Sequence, residues 1–312
     1  AGPVLRDMLI ASRELYEQLA DRCANAFGLT KRGLMMLCRT KHGLEQEVQA
    51  ARRARALDIP LEIVSPQRAA ELNPGAQMDI EGAVFYPLDC HLDPPRLLSA
   101  LHRLIVDAGV KVLWSTELTG WRARNGRVDA ARTSQGEIEA DEFVLAGGSW
   151  SETMARELGL NLPLQAGKGY SLTLSQPREL PRMGAILCEA RAAVTPIGTS
   201  LRVGGTMELG GLDSTIRLAR VRAIAAAVTE YFPAFRVEDF ASVAPWVGLR
   251  PCSPDGLPYI GRFGRYSNLC AATGHAMLGV SLAPVTGKLV SDVLSGAPPR
   301  IAIEALSPQR YP

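Results

Sequence analysis

Two short apolar runs that stop in glycine and restart as helices, FVLAGGSWS at Phe143–Ser151 and LCAATGHAMLG at Leu269–Gly279, constrain this chain more than any other feature. An uninterrupted apolar run of strand length is what a strand covered on both faces looks like. Glycine at its end lets the backbone turn sharply. The helix that follows opens with N–H groups that have no helical partner and attract negative charge. Two such units predict a mixed α/β fold with a partly anionic ligand at the C-terminal ends of neighbouring strands. A single glycine turn also serves merely to pack a helix close on a sheet, so neither unit names a ligand alone.

The rest of the chain arranges itself around these units. Leu5, Met8, Leu9, Ser12, Leu15, Tyr16 and Leu19 recur at helical spacing, so the chain opens with an amphipathic helix and not a strand. Further helices are predicted over Leu44–Leu57, from Ser65-Pro66, and from Asp93-Pro94 to Gly109, with a strand at Val110–Trp114. A small antiparallel meander follows, turning at Asn125-Gly126 and Gln135-Gly136. Between Leu162 and Pro245, short strands (YSLTL, AAVTP, LRVGG) alternate with glycine and proline turns around one helix, Thr215 to Phe232, as in a separate antiparallel sheet. Beyond Trp246 the strand, glycine turn and helix return. Leu278, Leu282, Val285, Leu289 and Val293 form that helix's inner face and Gly296 its end. The two ends therefore read as one domain, residues 1–26, 89–161 and 246–312, with residues 27–88 and 162–245 inserted as another.

Charge narrows the function. With 34 basic against 32 acidic side chains, the net charge of +2 gives no reason to invoke nucleic acid. The densest basic cluster, Arg52, Arg53 and Arg55, shares a helix with Glu45 and Glu47 and reads as a solvated face. Six cysteines lack CxxC spacing, which argues against a structural metal and fits a reducing, cytoplasmic setting. No uninterrupted apolar run of bilayer-spanning length is expected, nor is a signal peptide seen.

The stretch WVGLRPCSPDGLPYIG, Trp246–Gly261, carries one arginine among stiffening prolines, Pro251, Pro254 and Pro258. A rigid segment presents Arg250 in a fixed direction, and a guanidinium fork suits a carboxylate. The alternative is an arginine paired with Asp255, which itself reads as a turn-capping carboxylate.

That stretch, with NLCAATGHAMLGVSLAPVTGKLVSDVLSG, the closing ALSPQRY, VLAGGSWS, GKGYSLTL and VTPIGTSLRVGGTMELGG, occurs in an order that resembles the FAD-dependent D-amino acid dehydrogenases. These belong to the wider superfamily of D-amino acid, glycine and sarcosine oxidases. The resemblance runs over nearly the whole chain. It implies a glutathione-reductase-type FAD domain, here incomplete, with an inserted antiparallel-sheet substrate domain. It also implies hydride removal from Cα of a D-amino acid to flavin N5, the imine then hydrolysing to a 2-oxo acid and ammonia.

By matching position, Arg250 would bind the substrate carboxylate. Gly147 and Gly148 would lie near the dinucleotide, and Gly274, His275, Ala276, Met277, Leu278 and Gly279 beside the flavin ring. Tyr170 is the second substrate-side candidate, its alternative being a buried structural tyrosine. His275 could equally cap the helix start. Tyr86 and His91 would border the pocket, and Met277 would suit a larger, less polar substrate group. A quinone or other non-oxygen electron acceptor, and a cytoplasmic enzyme with peripheral contact to the inner membrane face left open, complete the expectation.

One departure stands out. The family's usual start, a strand, GxGxxG and a helix, is absent from these 312 residues, and the first residue is Ala1. The sequence accordingly reads as an excerpt of a longer oxidoreductase, a shortened product, or one part of an assembly, with weak or no flavin retention expected of it alone. A flavin-free binding or regulatory protein, and a dehydrogenase of D-hydroxyproline or another secondary amine, are the competing readings.

Overall fold

The computed structural model describes residues 2–311; Ala1 and Pro312, the outer limits of the expected first domain, lie outside them. In chain order the elements are α1 (Gly2–Arg22), β1 (Leu34–Cys38), α2 (Lys41–Arg55), β2 (Glu62–Val64), α3 (Pro66–Leu72), β3 (Gly82–Tyr86) and α4 (Pro94–Asp107). Then come β4 (Leu118–Arg124), β5 (Arg127–Thr133), β6 (Gly136–Glu139), β7 (Phe143–Leu145), α5 (Ser151–Arg156), β8 (Gln165–Leu174), β9 (Gly184–Leu187), β10 (Ala192–Ile197) and β11 (Ser200–Leu209). The chain ends with α6 (Leu218–Tyr231), β12 (Trp246–Cys252), β13 (Tyr259–Arg262), β14 (Leu269–Thr273) and α7 (Gly279–Ser295). The expected mixed α/β class holds.

An eight-stranded sheet runs β12-β8-β11-β10-β9-β1-β3-β2 and is antiparallel except where β1 meets β9. Its strands alternate, so Tyr170 and Leu172 of β8 and Val203 of β11 bury on one face with Ile224 and Val228 of α6. Gly167, Gly169, Ser171 and Thr173 point the other way. β12 joins this large sheet, past the expected domain limit at 246.

A second sheet, β13-β14-β7, pairs β14 with β7 in parallel, Leu269 opposite Phe143. Met8 of α1, Ile260 of β13, and Leu282, Val285 and Leu289 of α7 form one apolar cluster beside it. Pro284 lies inside α7 and cannot donate to the carbonyl four residues earlier. The Tyr16 hydroxyl of α1 donates to that carbonyl of Val280 instead (2.6 Å), and Ser12 Oγ does the same for Ser281 (2.6 Å). β4, β5 and β6 form the meander read from the turns.

Local signals explain the helix starts. Asp93 accepts from the Arg96 amide (3.2 Å) ahead of Pro94, and Ser65 does so for Arg68 (3.2 Å) ahead of Pro66.

Three expectations need correction. Val110–Trp114 is irregular, because no strand among the described residues offers it a ladder; Val110, Leu113 and Trp114 stand exposed. β7 is covered on only one face: Phe143 and Leu145 are buried, while Val144 is 40% exposed. Finally, Ala276–Ser295 is long and apolar enough by composition to cross a membrane, although its inner stripe is committed to α1 and β13.

Candidate active site

The two glycine turns end side by side. Thr273 Oγ1, at the end of β14, donates to the Gly148 carbonyl (3.1 Å) and accepts from Ser151 Oγ (3.3 Å), tying the turn after β7 to the turn after β14. Ser149 Oγ donates to the Leu249 carbonyl of β12 (3.3 Å), and Cys252 forms an isolated antiparallel bridge with His275. Thus Gly147, Gly148, Gly274, His275 and the strand carrying Arg250 converge. Glycine is required at 274, where φ is +82° and an added Cβ would lie 2.8 Å from the Tyr259 ring. Gly148 has φ +56° and faces open space.

Arg250 lies opposite Gly167 in the β12–β8 ladder, with Gly248 opposite Gly169 and Trp246 opposite Ser171. Its guanidinium rests over Gly169, where any side chain would occupy the same space. Nη1 donates to the Thr206 carbonyl (3.1 Å). Thr206 sits in a bulge of β11 at φ +71°, an uncommon conformation for a β-branched residue.

The alternative pairing of Arg250 with Asp255 does not occur. Asp255 is gripped by Arg310 (2.8 and 2.9 Å) and accepts from the Leu257 amide (3.0 Å), the turn-capping role read from the sequence. Burial opposes its ionisation, yet the bonds from Arg310 hold its carboxyl at about 2. Burial lowers the pKa of Arg250 below an ordinary arginine's, but a guanidinium stays charged at any physiological pH. A half-buried cation with a carbonyl and no carboxylate among the described residues is a place for an anion.

His275 Nε2 is bonded to Thr286 Oγ1 of α7 (2.9 Å) and its side chain does not cap the helix start. Burial lowers its pKa to about 4, so the ring is neutral near pH 7. Ala276 follows at φ +47°, Leu278 precedes the first residue of α7, Gly279, and Met277 is 72% exposed and is not on the wall of the cavity that Tyr86 and His91 line.

Tyr170 does not join this group. It faces the opposite side of β8, fully buried, with its hydroxyl on Glu208 Oε2 (3.1 Å), the structural alternative.

Tyr86 and His91 do line a cavity of about 1060 Å³ between α1, the start of α4 and the open face of the large sheet. Ser171, Arg202, Trp246 and Val280 are on its wall; Arg250 is not, lying further along β12, opposite Gly167. Burial, and then Arg32, lower the pKa of His91, whose Nδ1 lacks a partner. Arg202, Trp246 and Gly169 were not singled out from sequence. The alternation GKG in β8 was the available signal, since glycines two apart leave a bare lane on one sheet face.

Residues 2–293 match the family model DAO, FAD dependent oxidoreductase. The chain is 31% identical over 305 residues to a D-amino acid dehydrogenase of Granulibacter bethesdensis, spanning 96% of this chain and 72% of the relative. It is 32% identical over 306 residues to a glycine oxidase of Pseudomonas aeruginosa, spanning 96% and 82%. The crystal structure of glycine oxidase from Geobacillus kaustophilus superposes with a TM-score of 0.89 at 25% identity, covering 98% of this chain and 83% of that one.

Proposed function

Given that this chain belongs to the FAD-dependent oxidoreductase family DAO, we propose that it oxidises the Cα–N bond of D-amino acids to an imine, which water converts to a 2-oxo acid and ammonia. FAD, when bound, supplies the two-electron acceptor that takes the hydride from Cα. The residues at the paired turns fit such a group. Gly148 leaves open space, Gly274 lets the turn pass close over the Tyr259 ring, and the first turn of α7 directs amide hydrogens and the positive end of its dipole outward. These groups favour the negative charge that accompanies reduction of FAD.

Arg250 holds the α-carboxylate and so fixes which face of Cα is presented. The Thr206 carbonyl and the bare backbone of Gly169 aim the guanidinium. Neutral His275 braces the turn through Thr286 and adds no positive charge that would compete for the carboxylate. In this reading the part of the chain around β13, β14 and β7 carries FAD, and the large sheet, with β12 as its edge, carries the substrate. The acceptor that reoxidises the enzyme is a quinone or another non-oxygen oxidant.

The carrying observation is the uncompensated charge of Arg250. Protein loaded with FAD is assayed against D- and L-amino acids with an artificial electron acceptor and, separately, with oxygen. Turnover of D-isomers with the acceptor is expected, and Arg250→Met should cut kcat/KM by ~10- to 100-fold through loss of a charged hydrogen bond. Unchanged kcat/KM in that variant would overturn the assignment.

A further inference from the structure

We infer that Arg202 is a second anion anchor and that the substrate is a D-amino acid whose side chain ends in a carboxylate. This deepens the reading above and rests on it, since Arg250 must hold the α-carboxylate for Arg202 to meet the other end.

Arg202 lies on β11 opposite Thr173 of β8, on the same face as Arg250. Its Nη2 donates to Ser171 Oγ (3.0 Å), and its Cζ sits 5.3 Å from the centre of the Trp246 ring. Ser171 is two residues along β8 from Gly169, over which the Arg250 guanidinium rests. Side chains two apart on a strand project from one face about 7 Å apart. The two guanidinium groups therefore share one lane of the sheet.

Trp246 occupies the space between them. Its ring folds back over Gly248, coming within 2.3 Å of where a Cβ would stand, and Gly248 is the ladder partner of Gly169. The result is an arginine, an aromatic wall and a second arginine in sequence.

Neither arginine makes an ion pair among the described residues, although the molecule pairs Arg39, Arg122, Arg178, Arg262 and Arg310 with carboxylates. Of the acidic residues on the cavity wall, Glu14, Glu17 and Asp89, none is paired with Arg202, and Glu17 is engaged by Arg13 and Lys31. Each of the two cations lacks a carboxylate partner, and a single carboxylate neutralises only one of them. An amino acid with carboxylates at both ends of a short methylene chain neutralises both while its aliphatic part lies along Trp246.

Anaerobic calorimetry on the chain in saturating FAD reduced beforehand, so that binding occurs without turnover, tests this with D-glutamate and its neutral isostere D-glutamine, in wild type, Arg202→Met and Arg202→Lys. Wild type is expected to bind D-glutamate at least ~10-fold more tightly, and Arg202→Met to weaken D-glutamate ~10- to 150-fold, as loss of a charged hydrogen bond requires. D-Glutamine binding should weaken by several-fold less than D-glutamate binding, an unchanged circular dichroism spectrum and melting temperature report that the variant is folded, and Arg202→Lys should recover part of the D-glutamate loss. Equal affinities in wild type, or an equal loss for both ligands in Arg202→Met, overturn the inference while leaving the role of Arg250 intact. If no D-amino acid binds and Arg250→Met changes nothing, the Arg250 reading falls and takes this one with it.

Discussion

Gly169→Ala separates the architecture of the site from the stability of the sheet. The new methyl carbon would lie 2.0 Å from Nη1, 2.3 Å from Nη2 and 2.5 Å from Cζ of Arg250. Ordinary contact begins near 3.5 Å, so the guanidinium must lift by roughly 1.5 Å. That movement takes Nη1, now 3.1 Å from the Thr206 carbonyl, out of hydrogen-bonding range.

Only the tip of a long flexible side chain has to move, and Gly169 lies outside the left-handed region, so alanine is sterically acceptable to the backbone. Thermal stability should therefore hold or rise slightly. Transition-state binding should lose about 2 kcal/mol, or roughly 30-fold in kcat/KM, for one misplaced charged hydrogen bond. Gly120→Ala in β4, whose added carbon meets nothing within 4 Å, is the control. Steady-state kinetics with a D-amino acid, alongside thermal denaturation, reads both quantities. A Gly169→Ala protein with wild-type kcat/KM would show that the position of Arg250 is irrelevant.

Further outcomes follow from neighbouring contacts. Tyr16→Phe removes the donor to the Val280 carbonyl and should cost about 1–2 kcal/mol in chemical denaturation; with Pro284→Ala, which restores an amide donor, most of that loss should vanish. His275 has a folded pKa of about 4 against about 6.5 unfolded, so its neutral form is favoured by folding. The stability it contributes is full above pH ~6.5 and lost as pH falls toward ~4, and His275→Gln should flatten the denaturation profile in that window. Thr206→Gly relieves the positive φ and should raise the melting temperature without altering KM, because the carbonyl and not the side chain holds Arg250; a large rise in KM would contradict this.

Much of this was legible because certain residues act locally. Asp93-Pro94 starts α4 wherever it stands, and Gly147-Gly148 and Gly274 stop β7 and β14 without help from distant parts of the chain. β1, β3 and β9 were not anticipated for the opposite reason. LMMLC has neither alternation nor β-branching, while GAVFY and GAIL open with glycine and alanine, so only their ladders with neighbouring strands make them strands. Conversely, Val110–Trp114 has the composition of a strand and no ladder to join. At the site, Arg250 announced itself by the prolines around it. Tyr170 misled because its hydroxyl is chemically apt, whereas strand alternation sends it to the far side of the sheet. Arg202 stayed hidden because its significance lies in what it lacks, a carboxylate, and sequence does not record that.

The backbone bridge between Cys252 and His275 joins the edge of the large sheet to the turn that precedes α7. Main-chain bridging thus couples the strand of Arg250 to the turn that carries His275. Moving Arg250 away from that turn would require breaking this link. In the proposed reading, substitutions at the lane walls, positions 171, 202 and 246, are therefore expected to change which side chains are accepted without disturbing it.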